Sequence, residues 1–178
     1  MISVKITDRI NLQINREMYS AYLYLAMAAR MNEAGYTGVG KWLTVQYHEE
    51  MFHAMKFVSY LLDQGAAVKY AKIDEPSFEE KDIKALFQHI LKHEQFVTSS
   101  LREIMAMAKD EKDYATEGLL QWYIDEQIEE EKNDSEILQA IDLLGNSQHG
   151  LYMLNIELGK RGSGAPLDFN AISWKAGA

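Results

Sequence analysis

The sequence predicts an all-α fold, a four-helix bundle, and three observations indicate it. Only two of the 178 residues are proline, whereas residues that favour helices, such as Leu, Ala, Met, Glu and Lys, are abundant. Apolar residues recur with helical spacing over four long segments. Two short linkers and one long linker separate these segments, which is the connectivity of a bundle with one crossover.

The four segments are bounded by residues that commonly start or stop helices. We predict α-helices over about residues 4–34, 38–64, 83–109 and 114–144. The expected N-caps are Ser3, Thr37, Asp82 and Asp113, and the expected stops are Gly35, Gly65 and Gly145.

Linker lengths predict how these helices are connected. The short linkers 35–37 and 110–113 indicate two antiparallel hairpins. The connection 65–81 can span about 56–61 Å when extended, which exceeds the roughly 40 Å length of the second helix. It can therefore return the chain to its starting end, which makes the second and third helices parallel. The expected order is up, down, down, up.

Composition and charge exclude several classes of function. With 27 acidic and 18 basic residues the formal net charge is -9, which disfavours nucleic acid as a partner and favours cations. The absence of cysteine excludes disulfides and thiolate metal sites. The sequence shows neither a signal-peptide pattern nor an apolar run long enough to span a membrane. We therefore expect a soluble cytoplasmic protein without a membrane partner.

Each predicted core stripe contains a glutamate near its middle. These glutamates lie about 13, 12, 11 and 16 residues into their helices, so they should meet in one layer to within a turn or two. They are Glu17, Glu50, Glu94 and Glu130. His53 follows Glu50 on the same helix face. The first stripe is expected to comprise Ile10, Ile14, Glu17, Ala21, Tyr24, Ala28 and Met31. The second comprises Val39, Leu43, Gln46, Glu50, His53, Phe57 and Tyr60, and the third Ile83, Phe87, Ile90, Glu94, Val97, Leu101 and Ile104. The fourth stripe is expected to comprise Leu119, Tyr123, Glu126, Glu130, Asn133, Ile137 and Ala140.

Four buried carboxylates require compensating positive charge. Two carboxylates about 4 Å apart repel by roughly 4 kcal/mol at an effective dielectric constant of about 20. No lysine or arginine occupies the stripes at this level, and two divalent cations would balance four negative charges. Oxygen-rich ligands with one imidazole suit iron or manganese better than structural zinc or copper. Paired metals about 3.5–4 Å apart can share carboxylates and bind oxygen, and iron is the preferred interpretation.

Several motifs together resemble those of a bacterial non-haem ferritin over about residues 1–160. They are Glu17, Tyr24, EExxH at 49–53, KHEQ with Glu94, and QWYIDEQIEEE at 121–131. The resemblance implies that Glu17, Glu50 and His53 hold a first iron and that Glu50, Glu94 and Glu130 hold a second. It further implies a third iron site at Glu49, Glu126 and Glu129, with Gln127 as a neutral neighbour of the centre. Tyr24 would orient a ligand or supply an electron.

The resemblance also implies an activity and an assembly. Its members oxidise Fe(II) with oxygen or peroxide and deposit ferric oxo-hydroxide inside a hollow cage of 24 chains. The segment 149–161 resembles the short fifth helix of this family. The ferritin-like domain would thus cover residues 1–160, and the tail at 161–178, which we expect to be flexible, extends past the family pattern.

Departures from the pattern separate this chain from related proteins. Bacterioferritin and rubrerythrin carry a second Glu-x-x-His, where this sequence has Gln127-x-x-Glu130. Rubrerythrin also requires cysteines. Met51 lies where bacterioferritins place a haem ligand, but packing is the preferred interpretation and haem is not expected. We interpret Trp122 as packing, Glu131 as part of a solvated face, and the remaining histidines as surface or packing residues. These are His48, His89, His93 and His149.

Two other functions are compatible with the pattern and are ranked lower. A di-iron oxidase acting on an organic substrate would turn over that substrate without accumulating iron. A structural or interaction bundle would keep its acids at the stripe edges, and such a protein would bind no stoichiometric iron.

Overall fold

Five helices make up the computed structural model, which describes residues 2–80 and 82–162. They are α1 (Val4–Glu33), α2 (Thr37–Asp63), α3 (Ile83–Glu111), α4 (Tyr114–Leu144) and α5 (Gln148–Leu158). The bounds of the four long helices agree closely with the prediction, and a short fifth helix lies within 148–158. The predicted tail lies outside the described residues except for 161 and 162. No strand occurs in the described part of the chain.

The chain divides into two units, which are described separately. Among the described residues, one unit contains α1, α2 and residues 155–162, and the other contains α3, α4 and the start of α5 within residues 79–154. Within the first unit α1 packs against α2, and within the second α3 packs against α4. The short linkers therefore form two helical hairpins, as predicted. Among the described helices, none combines the length and apolar character that crossing a membrane requires.

The helix starts follow the predicted caps in three of four cases. The side chains of Ser3, Asp82 and Asp113 each accept a hydrogen bond from the backbone N–H three residues later, at 3.2, 2.9 and 3.1 Å. Thr37 was the wrong choice for α2. It is the first helical residue, and Tyr36 in the cap position makes no side-chain capping bond.

A residue from far along the chain caps α2 instead. Asn155 of α5 accepts hydrogen bonds at its Oδ1 from the N–H groups of Gly38 and Val39, at 2.9 and 3.0 Å. A Cβ at Gly38 would lie 1.7 Å from the backbone oxygen of Asn155. Glycine at this position therefore allows α5 to approach α2 closely enough for the cap to form.

Glycine also ends the helices of the first hairpin. Gly35 and Gly65 adopt φ angles of 87° and 68°, a left-handed conformation that glycine tolerates without a Cβ clash. In the second hairpin Lys112 takes this role with φ 57°. Asp113 then caps the next helix, so the two helices are separated by only two residues.

The first part of the long connection runs along α1. Asn11 donates from Nδ2 to the carbonyl of Ala67 at 3.0 Å and accepts from the N–H of Lys69 at 2.6 Å. One turn further along α1, Asn15 donates to the carbonyl of Lys72 at 3.1 Å. These bonds fix the first part of the connection against α1.

The predicted core stripes are confirmed in α1 and α3, where every member is buried, and in α2 except for the partly exposed Tyr60. In α4 only Tyr123 and Glu130 of the predicted stripe are buried. The buried face of α4 is Thr116, Leu120, Tyr123, Gln127, Glu130, Asp134 and Ile141. Because the apolar residues of α4 are spread around the helix and include the exposed Ile128 and Leu143, its periodicity did not define which residues face inward.

Candidate metal centre

The first hairpin brings two carboxylates and an imidazole together in its interior. Glu17 of α1 and Glu50 and His53 of α2 offer ligand atoms that all lie within 4.8 Å of one another. Their exposed fractions are 1%, 1% and 4%. The His53 Nδ1 atom lies 3.8 Å from a Glu50 carboxylate oxygen. This donor set fits a divalent cation that prefers oxygen and nitrogen ligands.

His53 is held in the form that can bind a metal. Burial lowers the pKa of His53 to about 4, and the positive charge of Lys56 contributes in the same direction. The imidazole is therefore neutral at physiological pH, so a ring nitrogen keeps the lone pair that a metal requires.

Gln13 positions the Glu17 carboxylate. Its Nε2 donates a hydrogen bond to Glu17 Oε1 at 2.8 Å, and Gln13 is fully buried. An amide donor fixes the direction of the carboxylate without neutralising its charge. Gln13 was missed in the sequence because it lies beside the predicted stripe. The i,i+4 spacing of the glutamine and the glutamate was the available signal.

The second hairpin buries a further group of predicted ligands. Glu94 of α3 and Gln127 and Glu130 of α4 have exposed fractions of 1%, 3% and 7%. Gln127 donates from Nε2 to Glu94 Oε2 at 3.0 Å and reaches the Glu94 carbonyl at 3.3 Å. The neutral neighbour expected at position 127 thus acts directly on a predicted ligand.

A chain of hydrogen bonds extends from this group. The Thr98 hydroxyl lies 3.3 Å from Gln127 Nε2, from which it accepts, and donates to Glu131 Oε1 at 2.6 Å. The interpretation of Glu131 as only a solvated residue was therefore wrong, because its carboxylate anchors Thr98. Thr98 was not singled out in the sequence. Its position one turn after Glu94 on α3 placed it near the same face.

The residues of the expected third iron site have mixed environments. Glu49 and Glu126 are partly buried, and Glu129 is exposed. One Glu49 carboxylate oxygen lies 2.7 Å from the Arg161 guanidinium. The third iron site itself stays a prediction. The arginine contact was not visible in the sequence, since Arg161 lies beyond α5.

The two aromatic candidates differ in burial. Tyr24 lies on α1 two turns after Glu17 and is fully buried, and its role toward a ligand stays a prediction. Trp122 is partly exposed and contacts Tyr123 edge-on, with ring centroids 4.9 Å apart. This contact agrees with packing. Met51 is also partly exposed.

The remaining histidines are not buried. His48, His89 and His93 are partly exposed, and His149 is exposed, which agrees with their interpretation as surface or packing residues. His89 has a specific partner that the sequence did not reveal. Its Nδ1 lies 2.9 Å from Glu80 Oε1.

Comparison with known proteins identifies the family. The family model of the ferritin-like domain matches residues 7–144. The chain belongs to the ferritin family. It is 37% identical over 159 residues to a probable bacterial non-heme ferritin-like protein of Haemophilus influenzae, covering 89% of this chain and 96% of that protein. It is 33% identical over 161 residues to a bacterial non-heme ferritin of Staphylococcus aureus, covering 90% and 97%.

Solved ferritin structures share the fold. An open pore ferritin from the archaeon Archaeoglobus fulgidus superimposes with a TM-score of 0.89 at 41% identity, covering 91% of this chain and all of the other. The predicted ferritin-like four-helix bundle with a short fifth helix is thereby confirmed. The predicted resemblance to non-haem ferritins is confirmed as well.

Proposed function

We propose that this ferritin stores and detoxifies iron by oxidising Fe(II) at a pair of metal positions. The buried group of Glu17, Glu50 and His53 is the observation that carries this proposal. Two negative charges in a dry interior are unfavourable unless a cation joins them. Family membership identifies that cation as iron, which is the substrate of the reaction.

The predicted residues divide into two sets around a shared ligand. We assign Glu17, Glu50 and His53 to the first iron, and Glu50, Glu94 and Glu130 to the second. Four carboxylates then balance the charge of two Fe(II) ions. Each hairpin contributes a glutamine that orients a ligand, Gln13 for Glu17 and Gln127 for Glu94. Glu49, Glu126 and Glu129 remain the proposed third position.

The reaction is a two-electron transfer from paired ions. Each Fe(II) loses one electron, and oxygen takes up two electrons and two protons to become hydrogen peroxide. With peroxide as the oxidant, the same two electrons and two protons yield two water molecules. The protein supplies proximity, because its fixed carboxylates hold two ions close enough to react with one oxidant. Tyr24 is proposed to orient a ligand or supply an electron.

The proposed product is ferric oxo-hydroxide, which accumulates inside a shell of 24 copies. Family membership and the fold shared with the archaeal ferritin support this assembly. Location in the cytoplasm is proposed from the sequence. No resident cofactor is proposed beyond the iron itself.

Two variants and one imaging experiment test this function. Replacing Glu50 or His53 with Ala should slow Fe(II) oxidation, followed by the absorbance of the ferric product under air. Glu75→Gln is a matched control, because Glu75 is exposed on the long connection. Electron microscopy of protein loaded aerobically with Fe(II) should show hollow particles with dense centres. Parental oxidation rates in both Ala variants, or small particles without iron cores, would refute the proposal.

A further inference from the structure

Arg161 is bound on three sides by side chains of α2. Its guanidinium donates to Glu49 Oε2 at 2.7 Å and to Gln46 Oε1. Its Cζ atom lies 4.7 Å from the centre of the Trp42 ring. The Arg161 side chain is 24% exposed and that of Glu49 is 14% exposed. The arginine head group is therefore largely removed from water and held by a charge, an amide oxygen and an aromatic face.

These three partners form a site with the chemistry of a cation receptor. Trp42, Gln46 and Glu49 follow one another at steps of four and three along α2, so they share one face of the helix. Each offers negative charge or electron density to a positive ion. Arginine remains charged at any physiological pH. Its positive charge therefore balances the negative charge of Glu49 over that whole range.

A metal ion at Glu49 must compete with this arginine. A divalent ion binds a carboxylate oxygen at about 2 Å, and Glu49 Oε2 already accepts a hydrogen bond from the guanidinium. An ion bound to the other oxygen of the same carboxylate would lie close to a fixed positive charge and be repelled by it. The Glu49 carboxylate therefore binds an iron ion more weakly while it is paired with the Arg161 guanidinium.

We propose that Arg161 is a displaceable internal cation that weakens iron binding at Glu49 and so limits the third position. The inference rests on the proposed function, because it concerns the third of its iron positions. Arg161 lies three residues beyond Leu158, where α5 ends. Its side chain can therefore leave Glu49 when local iron is abundant, without unwinding α5. When iron is scarce, Arg161 would remain paired with Glu49 and the third position would hold no iron.

Anaerobic titration of the assembled protein with Fe(II), followed by calorimetry, tests this role. The first two equivalents per chain report the proposed pair, and the next equivalent reports the third position. Arg161→Gln should tighten binding of the third equivalent by about tenfold or more and leave the first two unchanged. The double variant with Glu49→Gln should lose this gain. Arg30→Gln is the matched control, because Arg30 is a half-exposed arginine 3.9 Å from Glu33.

The outcomes separate the inference from the proposed function. Failure of the first two equivalents to bind to the parental protein would refute the proposed pair, whatever happens at Glu49. If Arg161→Gln leaves the affinity for the third Fe(II) equivalent unchanged, the role of Arg161 alone is overturned. The same holds if the higher affinity persists when Glu49→Gln is added.

Crystals of the parental protein give a second test that does not depend on a variant folding. At two Fe(II) per chain under anaerobic conditions, Arg161 should remain on Glu49. At excess Fe(II), an ion should occupy Glu49 and Arg161 should have moved away. An ion on Glu49 with Arg161 still within hydrogen-bond distance would overturn the proposal, as would the absence of an ion there at every concentration.

Discussion

Replacing Glu50 with glutamine should stabilise the iron-free protein while disabling its reaction. Glu17 and Glu50 are each 1% exposed, and their ligand oxygens lie within 4.8 Å of each other. Two unit charges at that distance repel by about 3.5 kcal/mol at an effective dielectric constant of about 20. Glutamine keeps the shape of the side chain and removes its charge.

The expected stabilisation is smaller than the full repulsion, because proton uptake by the parental site relieves part of it. We expect the free energy of unfolding to rise by about 1–3 kcal/mol. For a chain of this size that corresponds to a melting temperature higher by about 2–10 °C. The rate of Fe(II) oxidation should fall at least about tenfold, since Glu50 is the ligand proposed for both ions.

Scanning calorimetry in the presence of a chelator measures the change in melting temperature. Protein concentration and scan rate must be matched, because assembly and irreversible unfolding both change an apparent melting temperature. Glu75→Gln removes one exposed carboxylate and should change stability by less than about 0.5 kcal/mol. A Glu50→Gln protein that melts lower and oxidises Fe(II) at the parental rate would refute the reasoning. That result would assign Glu50 a structural role.

Two further predictions concern hydrogen bonds in the unit that contains α3 and α4. Gln127→Leu removes the donor to Glu94, so the unfolding free energy should fall by about 1.5–3 kcal/mol and the second Fe(II) equivalent should bind more weakly; an unchanged titration would contradict the role of Gln127. Burial raises the pKa of Glu80, but the hydrogen bond and charge of His89 together with backbone hydrogen bonds outweigh this effect and lower the pKa overall. The stabilisation is therefore present above the ordinary carboxyl pKa and is lost as the pH falls through the lowered value. His89→Gln should lower the melting temperature slightly at pH 6, which corresponds to a loss of less than about 1 kcal/mol in the free energy of unfolding. This difference should shrink as the pH falls through the lowered pKa of Glu80; a difference that stays constant over the whole acid range would contradict the assignment.

The helices and the central acids were predictable because the signals for both are local. A cap and its N–H partner lie three residues apart, so Ser3, Asp82 and Asp113 revealed the helix starts. A glutamate in an apolar stripe is conspicuous in the sequence wherever the stripe itself is strongly apolar. This condition holds in α1, α2 and α3, where Glu17, Glu50 and Glu94 were found. Glu130 was also predicted and is buried, although most of its predicted stripe in α4 is not.

The features that the sequence did not reveal depend on contacts between distant segments. Thr37 had the right chemistry for a cap. Asn155, more than 100 residues away in the sequence, instead accepts the hydrogen bonds from the first N–H groups of α2. Arg161 reaches Glu49 over a similar separation. In α4 the buried residues include Gln127 and Asp134. Because burial there follows hydrogen-bond partners as much as apolar character, hydrophobic periodicity could not define the inward face.

The kind of donor at three of the glutamates separates the proposed tight iron ligands from one that already forms an ion pair. Gln13 and Gln127 reach Glu17 and Glu94 with amide groups. An amide fixes the direction of a carboxylate and leaves its negative charge available to a metal. A guanidinium fixes the direction as well but also balances the charge, which is the situation of Glu49. The neutral donors are therefore placed where a metal is proposed to bind tightly, and the charged donor where iron must first displace it.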